Sequence, residues 1–185
     1  MTTLKGLIWL GLLLNLALYG QVTGQTPLGT DGPSGPRFFP VLDPAFDAEP
    51  TFFVKSGIMN VSGSSASGTA VGAELAFNCL FFEPAVGKIR PAFSLNRYSD
   101  DVFTLSTIEL NPSYVYYITQ NLSVGGGPGF GYMISSKGPA TNTWTVQAGV
   151  GIGYDLGIVS LGLEARYQWQ ENEDKGVVNL NNSPG

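Results

Sequence analysis

Histidine is absent from the 185 residues, and Cys79 is the only cysteine. An intramolecular disulfide is impossible, and zinc sites built from Cys and His are excluded. Cys79 falls on the apolar face of a predicted strand and reads as a small hydrophobe. Charge is scarce as well. Lys+Arg number 9 and Asp+Glu 14, 12% together, about half the roughly 25% of an ordinary soluble domain. The formal net charge of −5 argues against nucleic-acid binding, which needs a basic surface. Neither a phosphate-binding loop nor a dinucleotide fingerprint occurs, and no nucleophile can draw on a histidine base. The chain reads as non-enzymatic, with no cofactor and no metal site. Asp31, Asp100, Asp101, Glu171, Glu173 and Asp174 match no calcium loop and read as solvating acids.

What the chain does have is apolar surface and glycine. Hydrophobic residues make up 43%, with 11 Phe, 8 Tyr, 3 Trp and 25 Gly. Glycine at a cost of about 1 kcal/mol per helical position argues against helices. Residues 1–24 read as a cleavable leader: Lys5, a nearly continuous apolar run from Gly6 to Gly20, then small or tolerated residues before Gln25. Residues 25–49 are rich in proline and glycine and read as a periplasmic arm, with Phe38, Phe39 and Val41 available to dock.

From Thr51 the apolar residues recur every second position, the period of a strand. Seven strands are expected, over residues 51–61, 69–81, 87–98, 104–118, 122–134, 143–154 and 159–169. Val71, Ala73, Leu75 and Phe77 alternate with Gly72, Glu74 and Ala76. Val146, Ala148, Val150 and Ile152 alternate with Gln147, Gly149 and Gly151. Period alone leaves the inward face open. The polar faces carry Gly, Ser, Thr and isolated charges of both signs, which suits a narrow lumen. The apolar faces end in aromatics, and the strands approach the roughly 9–11 residues of a tilted membrane span. This points to an all-β, antiparallel, up-and-down transmembrane barrel over residues 50–170, with seven clear strands and eight expected. Lys55, Glu74, Lys88, Arg90, Glu109, Glu164 and Arg166 form the expected lumen ion-pair set. Phe81, Tyr114, Tyr116, Trp144, Tyr154, Tyr167 and Trp169 form the expected aromatic girdle. The polar tail, residues 171–185, reads as an incomplete last hairpin, as a truncated chain would show.

The stretches ELNPSYVYYITQNLSVGGGPGFGY from Glu109 and VQAGVGIGYDLGIVSLGLEARYQW from Val146 each join a strand, a tight turn and a glycine-alternating return strand. In these the chain resembles the small outer-membrane β-barrel domain family, related to the eight-stranded outer-membrane protein A and X barrels. The resemblance implies the outer membrane of a Gram-negative cell, outer-membrane lipids and the barrel assembly machinery as partners, and an unidentified surface partner. The expected function is a structural or surface-interacting envelope protein. A small passive porin and a secreted lipocalin-like lipid carrier are the alternatives.

Overall fold

The computed structural model describes residues 6–9, 15–18, 35–60, 67–99, 104–137, 142–157 and 159–170. The strands, in chain order, are β1 (Gly6–Trp9), β2 (Asn15–Leu18), β3 (Arg37–Phe38), β4 (Thr51–Asn60), β5 (Ser67–Ala76), β6 (Phe82–Glu83), β7 (Lys88–Arg90), β8 (Ala92–Ser99), β9 (Thr104–Leu110), β10 (Ser113–Tyr117), β11 (Leu122–Lys137), β12 (Thr143–Asp155) and β13 (Val159–Gln170). A single 3-10 turn, Pro40–Leu42, interrupts them. Among the described residues no helix is long and apolar enough to cross a membrane, which says nothing of strands.

Strands form where the alternation lies, and proline sets two of the breaks. Pro91 has no N–H for a ladder, and it separates β7 from β8. Pro112 similarly separates β9 from β10. The expected strand over 69–81 ends early, at Ala76. Beyond it Phe77 and Cys79 still donate to the carbonyls of Pro91 and Ile89, at 3.2 and 2.8 Å. Turns at the opposite end of the sheet from the long links are tight. At Gly157, φ is +95°, a region open to glycine without a Cβ penalty, and its N–H donates to Asp155 Oδ1 at 2.7 Å.

The antiparallel ladders correct the expectation of a closed eight-stranded transmembrane barrel. They join eleven strands in one sheet, whose strand order ends at β1 and β7, with β12 pairing both β11 and β13. From β4 the order runs through β5, β8 and β9 to β11. β4 and β13, the outer strands of the stretch from Thr51 to Gln170, have no ladder with each other. The short β2 lies between them, against Phe52, Phe53 and Val54 on one side and Val159 to Gly162 on the other, and β1 ladders with Arg166 to Trp169 of β13 without a ladder to β4. The strands of residues 50–170 therefore form a curved sheet that does not close on itself. Among the described residues, the edge of β4 beyond Val54 has no ladder partner on that side, where unaided passage through hydrocarbon demands complete pairing. The outer-membrane location rested on closure and goes with it.

β1 and β2 belong to the 1–24 segment that reads as a leader; the rest of that segment, residues 25–34 of the arm and residues 171–185 lie outside the described residues, as do Asp31, Asp100, Asp101, Glu171, Glu173 and Asp174. The described part of the arm docks by polar contacts and by ring packing. β3 pairs with β6, and Arg37 donates from Nε to Glu83 at 2.9 Å and from NH1 to Asp43 at 2.8 Å. Hydrogen bonding to Glu83 raises the Arg37 pKa; burial opposes it, and the charges of Glu83 and Asp43 add to the rise. Phe38, Phe39 and Val41 stay exposed, yet the Phe38 ring packs on Phe82 at 5.3 Å and the Phe39 ring meets Phe81 edge to face at 6.4 Å, so two of the three apolar residues do take part in the docking.

Candidate functional site: a polar interior inside an apolar face

The sheet buries its polar residues and exposes its apolar ones. Thr51 and Lys55 of β4, Glu74 of β5, Ser94 of β8, Thr107 and Glu109 of β9, Thr145 and Gln147 of β12, and Gln168 of β13 are all buried. Their strand neighbours Val54, Leu75, Phe93, Leu95, Ile108, Val146, Val150 and Leu163 are exposed. A two-residue period makes this outcome all-or-nothing, since each strand shows one whole face inward.

The interior is layered along the strands. Toward the ends of the long links, Met59, Ala70, Tyr98, Leu105 and Met133 make a small apolar cluster. Sequence reasoning missed this plug. The sequence marks these only as apolar residues near strand ends, and the cross-strand register is what gathers them.

Below the plug lies the charged layer. Glu109, 4% exposed, is its hub. One oxygen accepts from Thr107 at 2.7 Å, and the other from Gln147 at 2.9 Å, Asn111 at 3.2 Å and Arg166 at 3.4 Å. Arg166 also donates from Nε to Glu164 at 3.0 Å. Lys55 pairs with Glu74, and reaches Glu164 at 3.3 Å. Ser94 donates to Glu74 at 2.5 Å. Because Lys55 sits on β4 and Glu164 on β13, this ion pair spans the seam from inside. Burial works to raise the Glu164 pKa, but the charges of Arg166 and Lys55 and their hydrogen bonds bring it below the usual glutamate value. Burial likewise opposes the charge of Arg166, and Glu164, Glu109 and Glu74 raise its pKa despite that.

Glycine makes room for this layer. A Cβ at Gly129 would collide with the Asn111 side chain and approach Gln147 Cγ at 2.8 Å, and one at Gly131 would meet Thr145 Oγ1 at 2.8 Å. Gly129 and Gly131 thus leave interior space within β11.

Of the seven charged residues expected to share the lumen, five come together: Lys55, Glu74, Glu109, Glu164 and Arg166. Lys88 does not join them. It donates to both carboxylate oxygens of Glu49 at 2.6 and 2.7 Å and lies over the Tyr117 ring. Arg90 borders the same interior but forms no ion pair with them, bonding the Glu49 carbonyl at 2.9 Å and the Thr51 hydroxyl at 2.7 Å. The aromatic set divides between the two ends of the sheet. Phe81, Tyr114 and Tyr154 are exposed and Tyr116 half-buried toward the tight turns. Trp144 is exposed at the other end of β12, and Tyr167 and Trp169 pack edge to face at 4.5 Å. Cys79 is half-buried and free.

This geometry also corrects the functional expectations. A lipocalin-like carrier needs an apolar interior, and here the interior is charged while the apolar surface is outside. A porin needs an open bore, whereas the Lys55–Glu74–Glu164–Arg166–Glu109 layer crosses the interior as bonded ion pairs. The envelope-barrel role required a closed sheet, and the stretch from Thr51 to Gln170 does not supply one. Comparison with protein-family models, with curated proteins and with solved structures finds no match, so the resemblance to the small outer-membrane barrels has no support from relatives.

Proposed function

We propose that this chain is a non-enzymatic protein that associates with lipid, burying its outer face in acyl chains while its charged interior keeps the sheet in shape. The observation that carries this is the inverted burial, with exposed apolar side chains on β4, β5, β8, β9, β11, β12 and β13 alike. Apolar area removed from water is worth roughly 25 cal/mol per Å². Patches beyond a few hundred Å² mark interaction surfaces. A folded partner would have to wrap every strand to cover this face, whereas fluid acyl chains conform to it. The face also has a polar limit, at Ser56, Arg97 and Ser106, which neighbour one another through Val71 across β4, β5, β8 and β9. Backbone groups along the seam that neither β1 nor β2 pairs are left to water.

Flotation with phosphatidylcholine vesicles tests the reading. The protein should rise with the vesicles, and acyl chains brominated near the headgroup or at mid-chain should quench its tryptophan fluorescence, less so in a Trp144→Phe variant. Protein that stays monodisperse in buffer without any amphiphile, and does not float, refutes it.

A further inference from the structure

Beneath the charged layer, toward the tight turns, lies a cavity of about 200 Å³. Lys55 and Glu164 are in its lining, engaged in the ion pairs already described. Arg90, Ser113, Ser123 and Ser160 are further polar groups of its lining, which also holds the carboxylates of Glu74 and Asp155 and the guanidinium of Arg166. Arg90 is 9% exposed. Its NH2 group is used by Glu49 and Thr51, and its Nε has no partner. No ion pair among the described residues includes it. Ser160 is equally buried, and its hydroxyl also lacks a partner. The two stand four ladders apart, from β7 through β10, β11 and β12 to β13, and line one cavity.

We propose that this cavity binds a small oxyanion, a carboxylate or a phosphate, through Arg90 Nε, with the Ser160 hydroxyl as a second donor. A buried cation without a paired anion is costly, and the guanidinium donors are arranged to meet oxyanions. Glu74 and Glu164 are already held by Lys55 and Arg166, and the third lining carboxylate, Asp155, accepts from the Gly157 N–H at the turn, which leaves Arg90 as the cation with an uncommitted donor in the lining. Glycine keeps the opposite wall low: a Cβ at Gly153 would press on Ser123 Oγ at 2.9 Å, and one at Gly151 on the Leu163 carbonyl at 3.1 Å. The inference goes beyond lipid association, since the cavity lies on the inner side of the sheet.

The test uses the full chain in an uncharged maltoside detergent, with thermal unfolding followed at constant ionic strength. Inorganic phosphate or acetate replaces chloride in one arm. In the other, micelles are doped with dihexanoyl phosphatidic acid, which separates a lipid headgroup from a free anion. A saturable rise in the midpoint is expected in at least one arm, and Arg90→Met should weaken the apparent affinity at least tenfold. Should Arg90→Met fail to fold, Arg90→Lys, which keeps charge but lacks Nε, should show a weakening of similar direction. A phosphorus-31 titration of wild-type protein with inorganic phosphate, displaced by acetate, reports binding without reference to stability. No saturable response in either arm, or equal affinity in wild type and the Arg90 variants, overturns the proposal. Failure to float with vesicles would leave this result standing, so the two readings fail separately.

Discussion

Lys55→Met is the sharpest probe of the interior. Lys55 is 4% exposed and is held between Glu74 and Glu164. Its loss does not affect the two acids equally. Glu164 keeps its bonds to Arg166, whereas Glu74 keeps the Ser94 hydroxyl as its hydrogen-bond partner and feels Arg166 only through space. The layer changes from two cations against three carboxylates to one against three. Removing one partner of a buried pair costs about 3–5 kcal/mol, because it leaves an uncompensated charge. An exposed pair would cost about 0–1 kcal/mol. Urea unfolding in maltoside micelles, read by tryptophan fluorescence, should therefore lose on the order of 3 kcal/mol or more. The double variant Lys55→Met, Glu74→Met removes the stranded carboxylate and restores the original excess of one acid. It should recover most of that loss, since apolar replacement of a whole buried pair is often neutral. A single variant within about 1 kcal/mol of wild type would show that water screens the layer, and a double variant worse than the single would show that Glu74 is not the stranded group.

The lowered pKa of Glu164 stabilises the fold above the glutamate pKa of the unfolded chain, and this contribution is lost as pH falls through the lowered folded value. Acid titration of stability should show a flatter slope in Glu164→Gln over that window. In the apolar plug, Met133→Ala should cost about 2–5 kcal/mol in chemical unfolding, the range for buried large-to-small changes. Gly127→Ala brings a Cβ onto the Pro112 carbonyl, where backbone must move. Overpacking of this kind costs about 1–3 kcal/mol, and an unchanged unfolding midpoint would count against it.

The strands and their two faces were legible because period two is a strong constraint. Glu74 between Ala73 and Leu75, or Gln147 between Val146 and Ala148, can only point the opposite way from its neighbours. Which residues meet across the interior was less legible. Strand register brought Glu109 and Arg166 within one layer, but Lys88 and Arg90, in the same alternation, lie beyond it toward the tight turns and find Glu49 there. That pairing depends on how the arm after Pro40 folds back, and a non-glycine residue at positive φ, Glu49 at 42°, is part of that path. No local pattern announces such a conformation. Closure was the step that alternation could not decide, because a strand reads the same beside one neighbour or two. Met59, Tyr98, Leu105 and Met133 were passed over for a related reason: each is an ordinary apolar residue, and only the cross-strand register gathers them.

The inverted burial also bears on the heat capacity of unfolding. Exposing apolar surface to water raises heat capacity and exposing polar surface lowers it. When an ordinary domain unfolds it releases an apolar core, and its stability curve bends strongly with temperature. Here unfolding would uncover chiefly Glu109, Gln147, Arg166 and their partners, while the outer apolar side chains have amphiphile available in both states. Calorimetry in micelles should therefore give a heat-capacity increment well under the roughly 12–15 cal/mol/K per residue of water-soluble domains. Stability would then change little across ordinary temperatures, with no approach to cold denaturation above freezing.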